Sequence, residues 1–452
     1  MKLLLVITSI FLSSCAHQTT TTTTAPKVCQ TATDCKFDQL KALEFPKRIS
    51  ILQGVTNDTT TQLSLLYAKR DKLAVTLWDS SKNKIITPYE VRDHVYPGIE
   101  WRVTQLRFKE LDKSVDYWLQ VALPTGELID LRHLKTLDTR KTEPTLAIAA
   151  GMDDSFDKEQ AGMWNDLLSA KPDLIFLIGD NVYGDSKLTS GKLADPPTLW
   201  NRYIETRNSL QLYKSPDLVP VFATWDDRDF GGTEGNRNHI YKKEAKDTFV
   251  AFFPQEPIPG FFERGPGISS YFRAFGQQFV LADNRFFRSS SSDTKSPTHW
   301  GAEQEAWIFK RLKNSKGPVW LVEGDQYFGG YHSFESFEGK HPQSFKKLLK
   351  RIRQLKAPAV FVSGNRHLTE LMQLTPADVG YTTYELTTSA IHAKPSADTW
   401  KETPNPRKIE GTAGVFNYLI VKPKGVVPLT LTVTAFGPSK KVLYTRDLSI
   451  TH

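Results

Sequence analysis

The segment Pro172 to Tyr183 reads PDLIFLIGDNVY, and it decides the fold. A proline breaks any preceding helix, five apolar residues follow (Leu174 to Ile178), and the chain then reaches Gly179-Asp180. A short apolar run bounded by turn formers describes a strand buried on both faces. Upstream, residues 145–150 (TLAIAA) form a second apolar run. Between the two, Phe156, Gln160, Met163, Trp164, Leu167 and Leu168 fall at helical spacing, with Asp157 near the start. The pattern predicts a βαβ-like unit.

The same strand ending recurs downstream. VPVFAT (219–224) runs into Trp225-Asp226-Asp227, and QFVLA (278–282) into Asp283-Asn284-Arg285. VWLV (319–322) runs into Glu323-Gly324-Asp325, and AVFV (359–362) into Ser363-Gly364-Asn365-Arg366-His367. In layered α/β folds, ligands bind beyond the carboxyl ends of the strands. Carboxylates gathered there repel one another unless a cation or protonation compensates. Hard oxygen ligands with an occasional histidine suit a metal site.

Before this region, residues 46–142 are β-rich. Arg48 to Gly54, Gln62 to Ala68, Leu73 to Trp78, Glu100 to Phe108, Tyr117 to Leu123 and Leu128 to Leu137 are extended runs. Clusters such as Asp79-Ser80-Ser81-Lys82-Asn83 separate them, which predicts a sandwich of immunoglobulin or fibronectin type. Asp93-His94 and Arg132-His133 are expected to be surface polar pairs. Farther on, Gln343 to Lys356 places Phe345, Leu348, Leu349, Ile352 and Leu355 on one helical stripe. Its basic remainder is expected to be a solvated face, with a membrane surface as the alternative. Ser289 to Asp293 and Pro254 to Gly267 read as loops.

At the amino end, Met1-Lys2, an apolar run Leu3 to Leu12 and Ser13-Ser14-Cys15 describe an export signal. Cys15 after Leu-Ser-Ser resembles a bacterial lipobox. On that reading residues 1–14 are a signal peptide and Cys15 carries the lipid; a plain signal peptide cleaved later is the alternative. Residues 15–45, with six threonines from Thr19 to Thr24, read as a tether. Cys29 and Cys35 are the only other cysteines, and an exported chain is expected to pair them in a local disulfide. The expected location is therefore the bacterial envelope, lipid-anchored in the outer membrane and facing the periplasm. Across 452 residues, 39% are hydrophobic, which excludes global disorder. No internal apolar run approaches the roughly 20 residues of a spanning helix. The net charge of +8 is compatible with anionic partners but fits a solvated surface, and no nucleic acid partner is expected.

Five motifs now stand in order: Gly179-Asp180-Asn181-Val182-Tyr183, Trp225-Asp226-Asp227-Arg228-Asp229-Phe230-Gly231, Asp283-Asn284-Arg285-Phe286-Phe287-Arg288, Gly301-Ala302-Glu303-Gln304-Glu305-Ala306-Trp307 and Ser363-Gly364-Asn365-Arg366-His367. Together with Tyr384 to Ser389 and His392 they resemble the alkaline phosphatase D (PhoD-like) metallophosphoesterases over roughly residues 145–421. The resemblance implies an α/β fold: a metallophosphatase-type β-sandwich flanked by helices (143–452), preceded by a small all-β immunoglobulin/fibronectin-like domain. It implies hydrolysis of phosphate mono- or diesters at a mixed metal centre such as iron with calcium. It assigns metal contacts to Asp180, Tyr183, Asp227, Asn365 and His367, and reaction chemistry to Arg228, Asp229 and His367. His392 lies in the family's late Thr-Ser-His segment.

The chain departs from that pattern at three places. No cysteine follows Cys35, so the family's thiolate after the first strand is absent; the chain has Ala150-Gly151-Met152-Asp153 there. Arg228 stands for a histidine and Asn365 for an aspartate. Asp153 or Asp154 could supply an oxygen for the lost sulfur, which favours harder metals such as calcium or magnesium; calcium is the expected metal and iron the disfavoured one. Arg228 could bind a phosphate dianion but does not give up its proton. Two activity readings remain open: a phosphoesterase with an altered shell, or a pseudo-phosphatase that binds a phosphate ester or other anion. A purely structural envelope protein is the third.

Overall fold

The computed structural model describes residues 45, 48–79, 81–153, 157–189, 191–290, 292–293, 295, 297–313, 315, 317–355, 358–396 and 403–451. Cys15, Cys29 and Cys35 lie outside these residues, and with them the signal, lipid, tether and disulfide readings. No helix among the described residues is long and apolar enough to cross a membrane.

Strand Leu174–Ile178 shows why its sequence is apolar at every position. Leu174, Phe176 and Ile178 face one core, and Ile175 and Leu177 face another. It pairs in parallel with Leu146–Ala149 on one side and Val221–Thr224 on the other. Both cores exclude water, so alternation of polar and apolar residues would leave unpaired groups inside. Three further strands, Tyr418–Lys424, Leu429–Phe436 and Val442–Ile450, extend this to a six-stranded sheet. An eight-stranded sheet faces it. Its middle strands Gln277–Leu281, Val319–Val322, Ala359–Ser363 and Thr383–Thr388 run parallel. Phe176 and Phe222 from the first sheet meet Phe272 and Phe279 from the second, with ring centroids 4.5 to 6.2 Å apart. Truncating such a ring to alanine costs about 3–5 kcal/mol.

The outer face of the six-stranded sheet is covered by helices Asp157–Ser169 and Pro196–Ser209, whose Met163, Trp164, Leu167, Leu199 and Tyr203 fill the second core. The basic helix spans Pro342–Arg353, with Phe345, Leu348 and Ile352 buried. Its first position is a proline, where a missing N–H has no partner to lose.

The amino-terminal region forms two four-stranded antiparallel sheets. One has the order Ser50–Thr56, Thr61–Ala68, Trp101–Phe108, Glu90–Val95; the other has Lys84–Ile86, Ala74–Asp79, Asp116–Ala122, Leu128–Lys135. Leu63, Leu65, Leu77, Leu106, Leu119 and Leu134 pack between them. Two of these strands, 84–86 and 90–95, were not expected. They lie at sheet edges, where half-exposed mixed residues carry little apolar signal. Segment 254–267, read as loop, contains the short strand Phe262–Arg264.

The surface reading of Arg132-His133 is corrected. Arg132 is fully buried, paired with Asp130, and donates to the carbonyls of Ser215 and Ile49. His133 lies between Asp116 and Asp217 at 2.6 and 2.9 Å. Residues 130–133 thus fasten the amino-terminal domain to the 215–218 loop. Buried Arg207 fastens it a second time, through Ser50, Ser64 and the carbonyl of Phe252.

Candidate metal centre and active site

The strand ends converge because the chain turns there in ways that strain ordinary residues. After Ile178, Gly179 has φ +104° and Asp180 φ +52°. Asn365 and His367 are also left-handed, at +60° and +52°. Each non-glycine residue in that region costs on the order of 1 kcal/mol, which surrounding contacts must offset. Glycine is required at Gly324, where a Cβ would lie 2.5 Å from the Cβ of Asp226. Gly179 is as tight, 2.6 Å from the same atom. Two backbones therefore close directly onto Asp226.

Asp226 is the residue that the sequence reading missed. Asp180, Asp226 and Asp227 are all buried, and one ligand atom from each lies within 4.8 Å of the others. Oδ1 of Asp180 and Oδ2 of Asp226 are buried without a hydrogen-bond partner. The other Asp226 oxygen accepts from Asn284 (2.8 Å) and from Nε of Arg285 (2.6 Å). Oδ2 of Asp227 accepts from the backbone N–H of Glu234 at 2.9 Å. Burial drives the Asp226 carboxyl well above its ordinary range, and burial with the nearby Asp180 charge pushes Asp227 up to about 7. Burial also opposes ionisation of Asp180, yet His367 and then Arg228 hold it below its ordinary value. Three carboxylates with two free oxygens fit a hard cation, which would replace the missing donors and relieve the repulsion. A signal for Asp226 was present: it is the second residue after strand Val221–Thr224, on the same turn as Asp227.

Asp229 has a different place. It is fully buried, and it accepts backbone N–H groups from Asn181 (2.8 Å), Val182 (3.1 Å) and Asp226 (3.0 Å). It ties the 180–183 loop to the 226–230 turn, and with three N–H groups on it, it builds the site from behind. Asp229, expected to take part in the reaction chemistry, lies outside the group formed by Asp180, Asp226 and Asp227.

Tyr183 and His367 line the cluster. The Tyr183 hydroxyl is 3.1 Å from Nε2 of His367 and 3.4 Å from Oδ2 of Asp180. Burial, then the Asp180 charge, keeps this phenol protonated far above its usual range. Nδ1 of His367 donates to the Lys394 carbonyl at 2.8 Å, leaving Nε2 to face Tyr183 and Asp180. Burial lowers the imidazole's basicity, but Asp180 outweighs it and raises the net value. Arg228 pairs with Asp185 at 2.7 Å, and its Nε lies 4.0 Å from Asp227. Its guanidinium rests 5.4 Å from the Tyr183 ring centre, and these acids hold it charged.

Asn365 donates to Asp325 at 3.2 Å, and Asp325 pairs with Arg288 at 2.7 Å. The Asp153 carbonyl accepts from Nδ1 of His392 at 2.8 Å, and the Asp153 carboxylate is close enough to raise Tyr183. His392 is buried against Trp164, which pushes its imidazole down to about 4. Met152 fills the place after the first strand with a thioether, fully buried beside Met163 and Trp164.

The sequence profile of a family described as PhoD-like phosphatase matches residues 146–436. Among solved structures, one titled "Structure of PhoD" superposes with a TM-score of 0.64. The alignment covers 91% of this chain and 94% of that one at 15% identity, a likeness that shows the fold. No curated protein matches. The profile spans more than half of the sequence and takes in every strand end that carries a site residue, so the chain belongs to the PhoD-like phosphatase family.

Proposed function

We propose that the protein is a metal-dependent phosphoesterase of the bacterial envelope, hydrolysing phosphate mono- or diesters with a shell of oxygen ligands. The observation that carries this reading is the pair of buried, unpartnered oxygens on Asp180 and Asp226 within one carboxylate group. Asp180, Asp226 and Asp227 would hold the ion or ions. A metal bound there supplies a Lewis acid and lowers the pKa of a water.

The chain's own residues then divide the remaining work. Asp185 fixes one arm of Arg228, which leaves its other donors for a phosphate oxygen and supplies charge as the transition state forms. His367 holds its exchangeable proton on Nε2, because Nδ1 is committed to Lys394. From there it can protonate a leaving oxygen, a role that Arg228 cannot take. Tyr183 donates its hydroxyl hydrogen within the same group. A buried thioether after the first strand, where the family has a thiolate, removes an anionic soft ligand and favours calcium or magnesium over iron.

One observation favours a second reading, an anion-binding module without turnover. Asn365 brings no charge, and its amide is directed at Asp325. Elemental analysis of the purified protein, with hydrolysis of 4-nitrophenyl phosphate and bis(4-nitrophenyl) phosphate, separates the two. Stoichiometric divalent metal with turnover supports the phosphoesterase; phosphate binding without turnover supports the module. Lipid attachment at Cys15 is part of the proposal. Cys15→Ser should release the protein from the envelope fraction, and wild-type protein recovered soluble and unmodified at Cys15 would refute the anchor.

A further inference from the structure

Every other deeply buried arginine of the site and of the domain contact has partners. Arg132 has Asp130; Arg285 has Asp226 and Glu335; Arg288 has Asp325 and Glu335; Arg207 has serine hydroxyls and carbonyls. Arg366 has none. It is 6% exposed, its Nε and Nη2 are buried without hydrogen-bond partners, and among the described residues no carboxylate pairs with it. Glu370, which like Arg366 acts on Tyr331, is already taken by the Tyr331 hydroxyl at 2.8 Å and by Gln326 at 3.3 Å. Burying two guanidinium N–H groups without an acceptor is unfavourable, and an anionic partner that reached them would relieve that cost.

The position of Arg366 says where that partner comes from. It stands between Asn365 and His367, on the turn that delivers His367 to the carboxylate group. Its guanidinium lies 4.8 Å from the ring centre of Phe334, which is half exposed and sits on a segment with no helix or strand. Phe334 therefore lies over the guanidinium, between it and solvent.

We propose that Arg366, beneath Phe334, is a second anion subsite that takes an additional phosphate group of the substrate, so that the preferred ester carries two acidic groups. This rests on the phosphoesterase reading above. A planar fork with two unpaired N–H donors suits a phosphate oxygen pair, and a charge-assisted contact there discriminates for a second acidic group.

The test compares propanediol monophosphate with propanediol bisphosphate on wild type, Arg366→Met and Arg366→Lys. Wild type should favour the bisphosphate in kcat/KM, chiefly through KM. Arg366→Met should lower the ratio of the two kcat/KM values by about 10- to 100-fold. Arg366→Lys should fall between, because it keeps the charge and loses the fork. The ligand-free Arg366→Met protein should melt at or above wild type, since it removes an unpaired buried charge. Wild type with no preference, a loss that is equal for both esters, or a clear fall in ligand-free melting temperature would each overturn the subsite. If neither ester is turned over, the phosphoesterase reading fails separately. The subsite is then judged by inorganic pyrophosphate: stabilisation of wild type but not of Arg366→Met upholds it, and stabilisation of neither or of both equally refutes it.

Discussion

Asp130 and Asp180 are the same kind of residue at the same depth, and they do opposite things. Asp130 is fully buried, and both its oxygens are occupied. Arg48, Arg132 and the backbone N–H groups of Ile49 and Leu131 all donate to it, at 2.8 to 3.1 Å. Asp180 keeps one oxygen unpartnered and shares its surroundings with two more carboxylates. Burial is common to both. What marks the second as a site is that the fold leaves its pairing incomplete. Asp130 belongs to a fastening between domains; Asp180 belongs to a carboxylate group that could hold a cation.

The largest expected effect is on turnover. Asp180→Asn or Asp226→Asn should abolish stoichiometric metal and lower phosphatase turnover at least about a hundredfold. Ligand-free stability should fall modestly, because Asp180 gives up its pairing with His367 and Asp226 its pairing with Arg285. Metal content, rate and denaturant unfolding, measured on the same preparation, check all three. A stability loss without metal loss would make Asp180 a structural carboxylate like Asp130. Metal uptake should also weaken as pH falls through about 7, where the metal-free Asp227 takes up a proton.

Next in size is the converse. Asp130→Ala strands Arg132 and the Ile49 N–H inside the protein, and should cost about 3–5 kcal/mol of unfolding free energy. Metal content per folded molecule should not change. Loss of metal along with stability would show that the two regions are not independent.

Restoring the family's residues sharpens the comparison, with a smaller effect. Asn365→Asp should tighten metal binding about tenfold while lowering ligand-free stability, since the new carboxylate faces Asp325. Arg228→His should weaken phosphate binding, because it removes a permanent charge held by Asp185. A cysteine is harder to return. Gly151 has φ +73°, and a Cβ there would meet the Ala390 N–H nitrogen at 2.6 Å. Met152→Cys would leave a cavity in a filled core. Isothermal titration with calcium and with inorganic phosphate reads these changes.

The smallest effect is at the domain contact. Asp217, then Asp116, outweigh burial and raise the His133 imidazole, while His133 holds both carboxyls low. The histidine's contribution is fully present below about pH 6.5 and fades as pH rises through its raised folded value. The two carboxylates contribute above about pH 4 and lose that contribution as pH falls through their depressed values. His133→Gln should therefore cost less than about 1 kcal/mol near pH 5.5, and less still near pH 8, in denaturant melts. An equal loss at both pH values would mean that the contact is packing rather than charge.

Much of the molecule was legible from local pattern. The run Leu174 to Ile178, the stripe Phe345, Leu348, Ile352, the acid-tipped strands at 180 and 226–227 and the polar strand end at 365–367 follow from apolar periodicity and turn chemistry. Those signals lie within a few residues of one another, so the chain alone determines them. The edge strands 84–86 and 90–95 carried no such signal and went unread. Three other matters belong to the tertiary structure. Of the acids after strand Val221–Thr224, Asp226 and Asp227 join the carboxylate group, while Asp229 turns back onto backbone N–H groups. Arg132 is paired and Arg366 is not, although both are arginines beside a histidine in an otherwise ordinary stretch. His133 meets an aspartate 84 residues away. Each of these depends on which groups the packed fold brings within about 3 Å, and a hydrogen bond or ion pair is decided at that range rather than by neighbours in sequence.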